Sequence, residues 1–166
     1  MKRITVLTLG IMVLVTLAAC SSSSDGPGQK YPDQGGDHIG LEDDHSLYNS
    51  VPATSGEHFG APFAPVPWGV YTDPIPDEVL LHNLEHGGIG IHYNCPDGCE
   101  ELVDQLASLA RGGGKIVMSP YPDMETRIAL TAWNFLDAFD DFDEDRIEDF
   151  IDAHESSSNA PEPNVP

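Results

Sequence analysis

The chain has 166 residues, with 28 acidic against 7 basic side chains and a formal net charge of −21. A surface this acidic repels nucleic acid, whose phosphates are held by Lys and Arg, and it repels anionic lipid headgroups as well. The length suits one domain with a genuine core.

Lys2 and Arg3 open the chain, and an apolar run from Ile4 to Ala19 follows, broken only by Thr5, Thr8, Gly10 and Thr16. A basic start, a short apolar run and small residues before a break describe an export signal and not a spanning helix. The closing Leu17-Ala18-Ala19-Cys20 resembles a bacterial lipobox. That resemblance implies that residues 1–19 are a removed signal peptide and that Cys20 carries a lipid. The protein would then be exported to the cell envelope, anchored to a bacterial membrane and facing the periplasm or the exterior. Loss of Lys2 and Arg3 leaves 7 − 2 = 5 basic residues against 28 acidic ones, about −23 in net charge. Lipid and not charge would hold such a chain to a membrane.

Residues 20–37 are Ser, Gly, Pro and Asp with almost nothing to bury, and read as a flexible tether. The globular domain is expected over 38–155, followed by a disordered tail over 156–166 rich in Ser, Pro and Glu. Between Ile39 and Thr72 the prolines at 52, 62, 65 and 67 remove backbone donors, so this stretch is expected as an irregular wrap around the rest. Pro74-Ile75-Pro76-Asp77 sets up a helix over Glu78–His86, with Asp77 as N-cap or first-turn charge. Leu80, Leu81 and Leu84 give it one apolar face, Glu78, His82 and His86 a second stripe, and Gly87 stops it. Ile89–Tyr93 alternates as a strand, Glu100–Arg111 is an amphipathic helix, and Lys115–Ser119 is a second, more buried strand. Together they predict a parallel crossover. Thr126–Leu136 is apolar on nearly all sides and reads as a buried helix. Asp143–His154 is the last helix, with Ile147, Phe150, Ile151 and His154 on its inner face. No internal repeat stands out. The predicted fold is a single compact α+β domain with a small sheet, about four helices and a Pro/Gly-rich irregular N-terminal wrap.

Several segments taken together resemble one family. They are Thr54-Ser55-Gly56-Glu57-His58, Trp68-Gly69-Val70-Tyr71, Pro74-Ile75-Pro76, the His82–Gly88 stretch, Ala129-Leu130-Thr131-Ala132-Trp133, and Phe142-Asp143 through Arg146-Ile147 to Phe150-Ile151. The combination is similar to the bacterial family known as domain of unknown function 3105, over roughly residues 38–155. Such proteins are exported or membrane-anchored, in keeping with the lipobox, but the resemblance implies no activity. Ala53 departs from a proline expected before Thr54.

The chemistry must come from the residues. His82 and His86, one turn apart on a helix, present two imidazoles to one metal ion. His58 and the Met124 thioether are the candidate further ligands, and imidazoles with a thioether suit copper. The expected function is storage, delivery or sensing of that metal. The same stretch reads His-x-x-Glu-His, which points instead to a zinc-dependent hydrolase with Glu85 as general base. The bland alternative is a structural or interaction module whose histidines only hydrogen-bond. Cys95 and Cys99 flank a three-residue loop, a disulfide in an oxidising compartment or else a thiolate pair for a soft metal. The spacing of Asp141, Asp143 and Asp145 begins like a calcium loop, but Arg146 stands at the position of its glycine and Asp152 at that of its glutamate, and the bland alternative is an N-cap and acidic first turn of the last helix. His38, His45, His92 and His154 are weaker candidates, His154 being expected as a hydrogen-bonded core histidine.

Overall fold

Alternation along the strands decides which side of the sheet each helix covers. The computed structural model describes residues 26–166; the signal segment and Cys20 lie outside them. Among the described residues eight strands are formed: β1 (Gln29–Lys30), β2 (His38–Ile39), β3 (His58–Phe59), β4 (Gly69–Val70), β5 (Ile89–Tyr93), β6 (Ile116–Pro120), β7 (Ile128–Ala132) and β8 (Phe135–Phe139). The helices are α1 (Asp77–Glu85), α2 (Glu100–Ala110) and α3 (Glu144–His154). Six strands make one mixed sheet in the order β1-β8-β7-β5-β6-β4, while β2 and β3 pair separately, in parallel. In β6, Ile116 and Met118 join the large core cluster with Leu106 of α2 and Phe150 of α3, whereas Val117 between them packs with Leu80 of α1. Successive side chains of a strand point to opposite faces. Thus α2 and α3 cover one face, and α1 with the irregular N-terminal half covers the other.

The β5–α2–β6 unit is parallel, as its pattern predicts. Cys95 and Cys99 are joined in a disulfide at the start of α2. Asp143 caps α3 by accepting from the Arg146 backbone N–H, and the Arg146 guanidinium grips Asp137 of β8 at 2.7 and 2.6 Å. The Asp143 carboxylate is thereby engaged as a cap.

The expected helix over Thr126–Leu136 is instead the β7–β8 hairpin, so there are three helices among the described residues and a larger sheet than predicted. An all-round apolar run fits a strand buried on both faces as well as it fits a buried helix. The deciding residue is Asn134. Ala132 pairs with Phe135, leaving Trp133-Asn134 as a two-residue turn, and Asn134 has φ +67°. Asn is among the few residues that tolerate this left-handed conformation. Its side-chain oxygen is buried without a hydrogen-bond partner, so its backbone is what the fold uses. The turn is tied to the wrap through Asn134 N–H to the Thr54 carbonyl (2.9 Å) and Tyr31 N–H to the Asn134 carbonyl (2.8 Å). Asn134→Ala should therefore cost about 1 kcal/mol in urea unfolding, and Asn134→Gly clearly less. Equal costs for the two variants would refute a role for φ.

Both ends of the domain extend further than the composition suggested. Part of the expected tether forms β1, paired antiparallel with β8. The expected tail lies against α1: Ser156 N–H donates to the Gly87 carbonyl, Glu162 N–H donates to the Glu85 carbonyl, and Ala160 is buried beside Leu81, Leu84 and Trp133. The Lys115 ammonium binds the tail by donating to the Pro163 and Val165 carbonyls, and it also caps α1 at the His86 carbonyl (2.9 Å). Low hydrophobicity did not leave this segment loose, because its backbone groups meet matching partners on the domain. No helix of the described residues is long and apolar enough to cross a membrane.

Candidate metal centre

α1 carries leucines toward the core and polar groups toward the wrap. Its end is a Schellman motif: Gly87 N–H bonds the Leu84 carbonyl and Gly88 N–H bonds the Asn83 carbonyl, both at 2.9 Å, with Gly87 at φ +79°. This fixes where the helix stops and thus where Glu85 and His86 stand. Its polar side chains hold the irregular half in place. Asn83 bonds both backbone groups of Val66, and Asp77 accepts from the Ala53 N–H and the Tyr121 hydroxyl. His82 donates from Nδ1 to the Phe59 carbonyl at 2.8 Å. Burial pushes the Asp77 carboxyl above its ordinary value, with the Tyr121 and Ala53 bonds opposing.

The wrap contributes its own two histidines by strand pairing. β2 and β3 run parallel with His38 directly opposite His58 and Ile39 opposite Phe59. Register partners put their side chains on the same face. Four groups therefore converge: one ring nitrogen each from His38, His58 and His82 and a carboxylate oxygen of Glu85, all within 4.8 Å of one another. The His38 and His82 rings stack at 4.7 Å, and His58 stands edge-on to both. Trp133, at the tip of the hairpin, walls the site against His58, with ring centroids 6.1 Å apart. Gly36 closes another side, where a Cβ would sit 2.9 Å from Glu85 Oε1 and 3.2 Å from the Trp133 ring.

The protons of this cluster can be assigned from its acceptors. His58 Nδ1 lies 2.8 Å from the Gly56 carbonyl, which only accepts, so Nδ1 carries a proton. His58 Nε2 then faces Glu85 Oε2 at 3.3 Å. In neutral His58 these are two lone pairs pointed at each other. Adding a proton would resolve the clash, but His58 is fully buried, and desolvation holds its pKa below the ordinary value despite the Gly56 bond and the Glu85 charge. A cation bound between Nε2 and Oε2 resolves it without protonating the ring. His82 is set the same way, since its Nδ1–H on the Phe59 carbonyl leaves Nε2 as its donor atom. Backbone carbonyls that fix a histidine tautomer in this way are typical of the outer shell of metal sites. The Glu85 Oε2 separations, 3.2 Å to His38 Nε2 and 3.3 Å to His58 Nε2, also equal the edge of a tetrahedron with metal–ligand bonds of about 2.0 Å.

Of the residues expected as ligands, His58 and His82 lie in this cluster. His86 follows the helix end and belongs to an adjoining group with Glu85 and Glu162. Its ring touches that of His82 at 4.7 Å and its N–H bonds the His82 carbonyl at 3.2 Å, yet the two histidines fall in different groups of potential ligands. Met124 packs in an apolar cluster with Ala129, Leu136, Tyr31 and Tyr121. In place of its thioether the site has a third imidazole, His38, and the Glu85 carboxylate. Glu85 sits among the ring nitrogens, where its carboxylate could serve as a ligand. The other histidines each have a partner elsewhere, with Nδ1 of His92 and of His154 buried and unpaired. His45 bonds Glu78 and the Ser46 carbonyl, and His154 bonds the Pro27 carbonyl against Phe135 and Phe150. His92 is buried against the Thr131 hydroxyl, with its pKa pushed down to about 3 by desolvation.

His38 ranks only as a weak candidate in the sequence, and Glu85 is named there only as a general base, yet one signal was present. Asp37-His38-Ile39-Gly40 and Glu57-His58-Phe59-Gly60 share an acidic-His-apolar-Gly pattern, and these are the segments that pair.

A family model described as "Protein of unknown function (DUF3105)" matches residues 42–166. That span includes His58, His82, Glu85, His86 and Glu162, and begins just after His38. Neither the curated proteins nor the solved structures include a match to the chain.

Proposed function

We propose that this chain, which belongs to the DUF3105 family, binds a divalent transition-metal ion through His38, His58, His82 and Glu85 for storage, delivery or sensing. The observation that supports it is the buried pairing of His58 Nε2 with Glu85 Oε2, two donor atoms that a bound cation would bridge. Three imidazoles and a carboxylate are borderline donors, suited to zinc and copper(II) and poor for calcium or magnesium. Without a thioether the set does not favour copper(I). Copper(II) is bound more tightly than zinc by the same donors, while the tetrahedral spacing at Glu85 suits zinc, so copper(II) and zinc are both candidate cargo. The His38 side chain is about half exposed (48%), which leaves the ion a route in and out, as a delivery or sensing role requires. The segment ending in Cys20 supports export and lipid attachment, which would put the site at the cell envelope.

Elemental analysis of full-length protein purified without chelator, followed by copper(II) and zinc titration, tests the reading. At least one tightly held ion per chain is expected, with affinity lowered about a hundredfold or more in His58→Ala, since even outer-shell changes cost ten- to a hundredfold. Protein that arrives without metal and takes up neither ion would refute it and leave an interaction role.

A further inference from the structure

Glu85 belongs to two groups of potential ligands. Besides its three histidine neighbours, a carboxylate oxygen of Glu85 lies within 4.8 Å of donor atoms of His86 and Glu162. His86 is 7% exposed, and its Nδ1 is buried with no hydrogen-bond partner. Its Nε2 is 3.6 Å from Glu162 Oε2, too long for a hydrogen bond. Neither ring nitrogen of a buried histidine is thus satisfied by the protein. Glu162 reaches this point because its own N–H is anchored on the Glu85 carbonyl at 2.9 Å, and Lys115 fastens the flanking residues of the C-terminal segment.

From this arrangement we infer that Glu85, His86 and Glu162 form a second site for a divalent transition metal, so that Glu85 bridges a dinuclear centre. The inference rests on the reading of Glu85 as a ligand of the first ion. A bridging carboxylate uses one oxygen toward each metal, and Glu162 adds the second negative charge that a second divalent cation calls for. The second site is the weaker. It has three protein donors against four, Glu162 is half exposed, and the Lys115 ammonium lies close by on the His86 carbonyl. The first ion would fill the histidine cluster. The second would bind at higher concentration and clamp the C-terminal segment onto α1.

Copper(II) titration of the full-length protein, followed by electron paramagnetic resonance, separates the possibilities. Wild type should bind two ions per chain, the second with at least about tenfold lower affinity, and show dipolar coupling between them. Glu162→Gln should bind one uncoupled ion with first-ion affinity changed less than threefold. A single tight ion in wild type, two uncoupled ions, or a coupled pair that survives Glu162→Gln would each overturn the proposed Glu85–His86–Glu162 site and leave the four-ligand site standing. Failure to bind copper at all would remove both.

Discussion

Glu85→Gln should abolish tight metal binding while leaving the folded protein at least as stable in chelator as wild type. The carboxylate is the only anion among the four proposed ligands and sits within 3.3 Å of two imidazole nitrogens. Its removal should lower affinity by more than a hundredfold, beyond the usual cost of altering an outer-shell partner. Metal-free wild type keeps Glu85 and His58 as opposed acceptors in a buried site, whereas the side-chain amide of the variant can donate to His58 Nε2 and relieve that opposition. In excess metal the order reverses. Wild type gains stability from the bound ion, about 4 kcal/mol at a thousandfold excess over Kd, and the variant gains almost nothing. Competition titration and thermal unfolding with and without chelator would read both effects. A variant that keeps affinity within threefold of wild type would show that Glu85 is not a ligand.

Phe150→Ala should destabilise the domain by about 3–5 kcal/mol, the usual cost of truncating a fully buried Phe. Phe150 is 0% exposed in the main core cluster, where α3 meets the sheet, and its ring also lies against His154 and the Gly28 backbone. Such a loss is a large share of the stability of an ordinary domain, about 5–15 kcal/mol in all. Because α3 covers the sheet face opposite α1, copper affinity in the folded fraction should change less than threefold. Urea unfolding at fixed metal concentration would measure the first effect and titration the second. A loss under 1 kcal/mol would contradict the docking of α3. A large drop in affinity would mean that the two faces are coupled.

Local pattern carried much of the fold. The prolines and Asp77 before α1, the two glycines after it, the alternation of β5 and the amphipathic stripes of α2 and α3 are short-range signals, and each element formed close to its expected bounds. The hairpin was missed for a definite reason. Apolar residues on every side say that Ile128–Leu136 is buried but not whether its period is two or 3.6, and the discriminating residue, Asn134, acts through one backbone angle.

The metal cluster was half legible. His82 and the family-like segment ending in His58 marked the region, but helix spacing paired His82 with His86, whereas His86 falls in a neighbouring group with Glu85 and Glu162. His38 entered through a two-residue parallel pairing with His58, twenty positions away, and no periodicity can be read from strands that short. The C-terminal segment docked on α1 through backbone hydrogen bonds and Lys115, interactions that depend on position and leave no trace in hydrophobicity. Alone, the amino-acid sequence determined which elements form and that imidazoles gather around α1. Which imidazoles share one point, and that Glu85 stands between two groups, was decided only when the wrap and the tail closed on the helix, because ligand convergence is a property of distances between segments far apart in the chain.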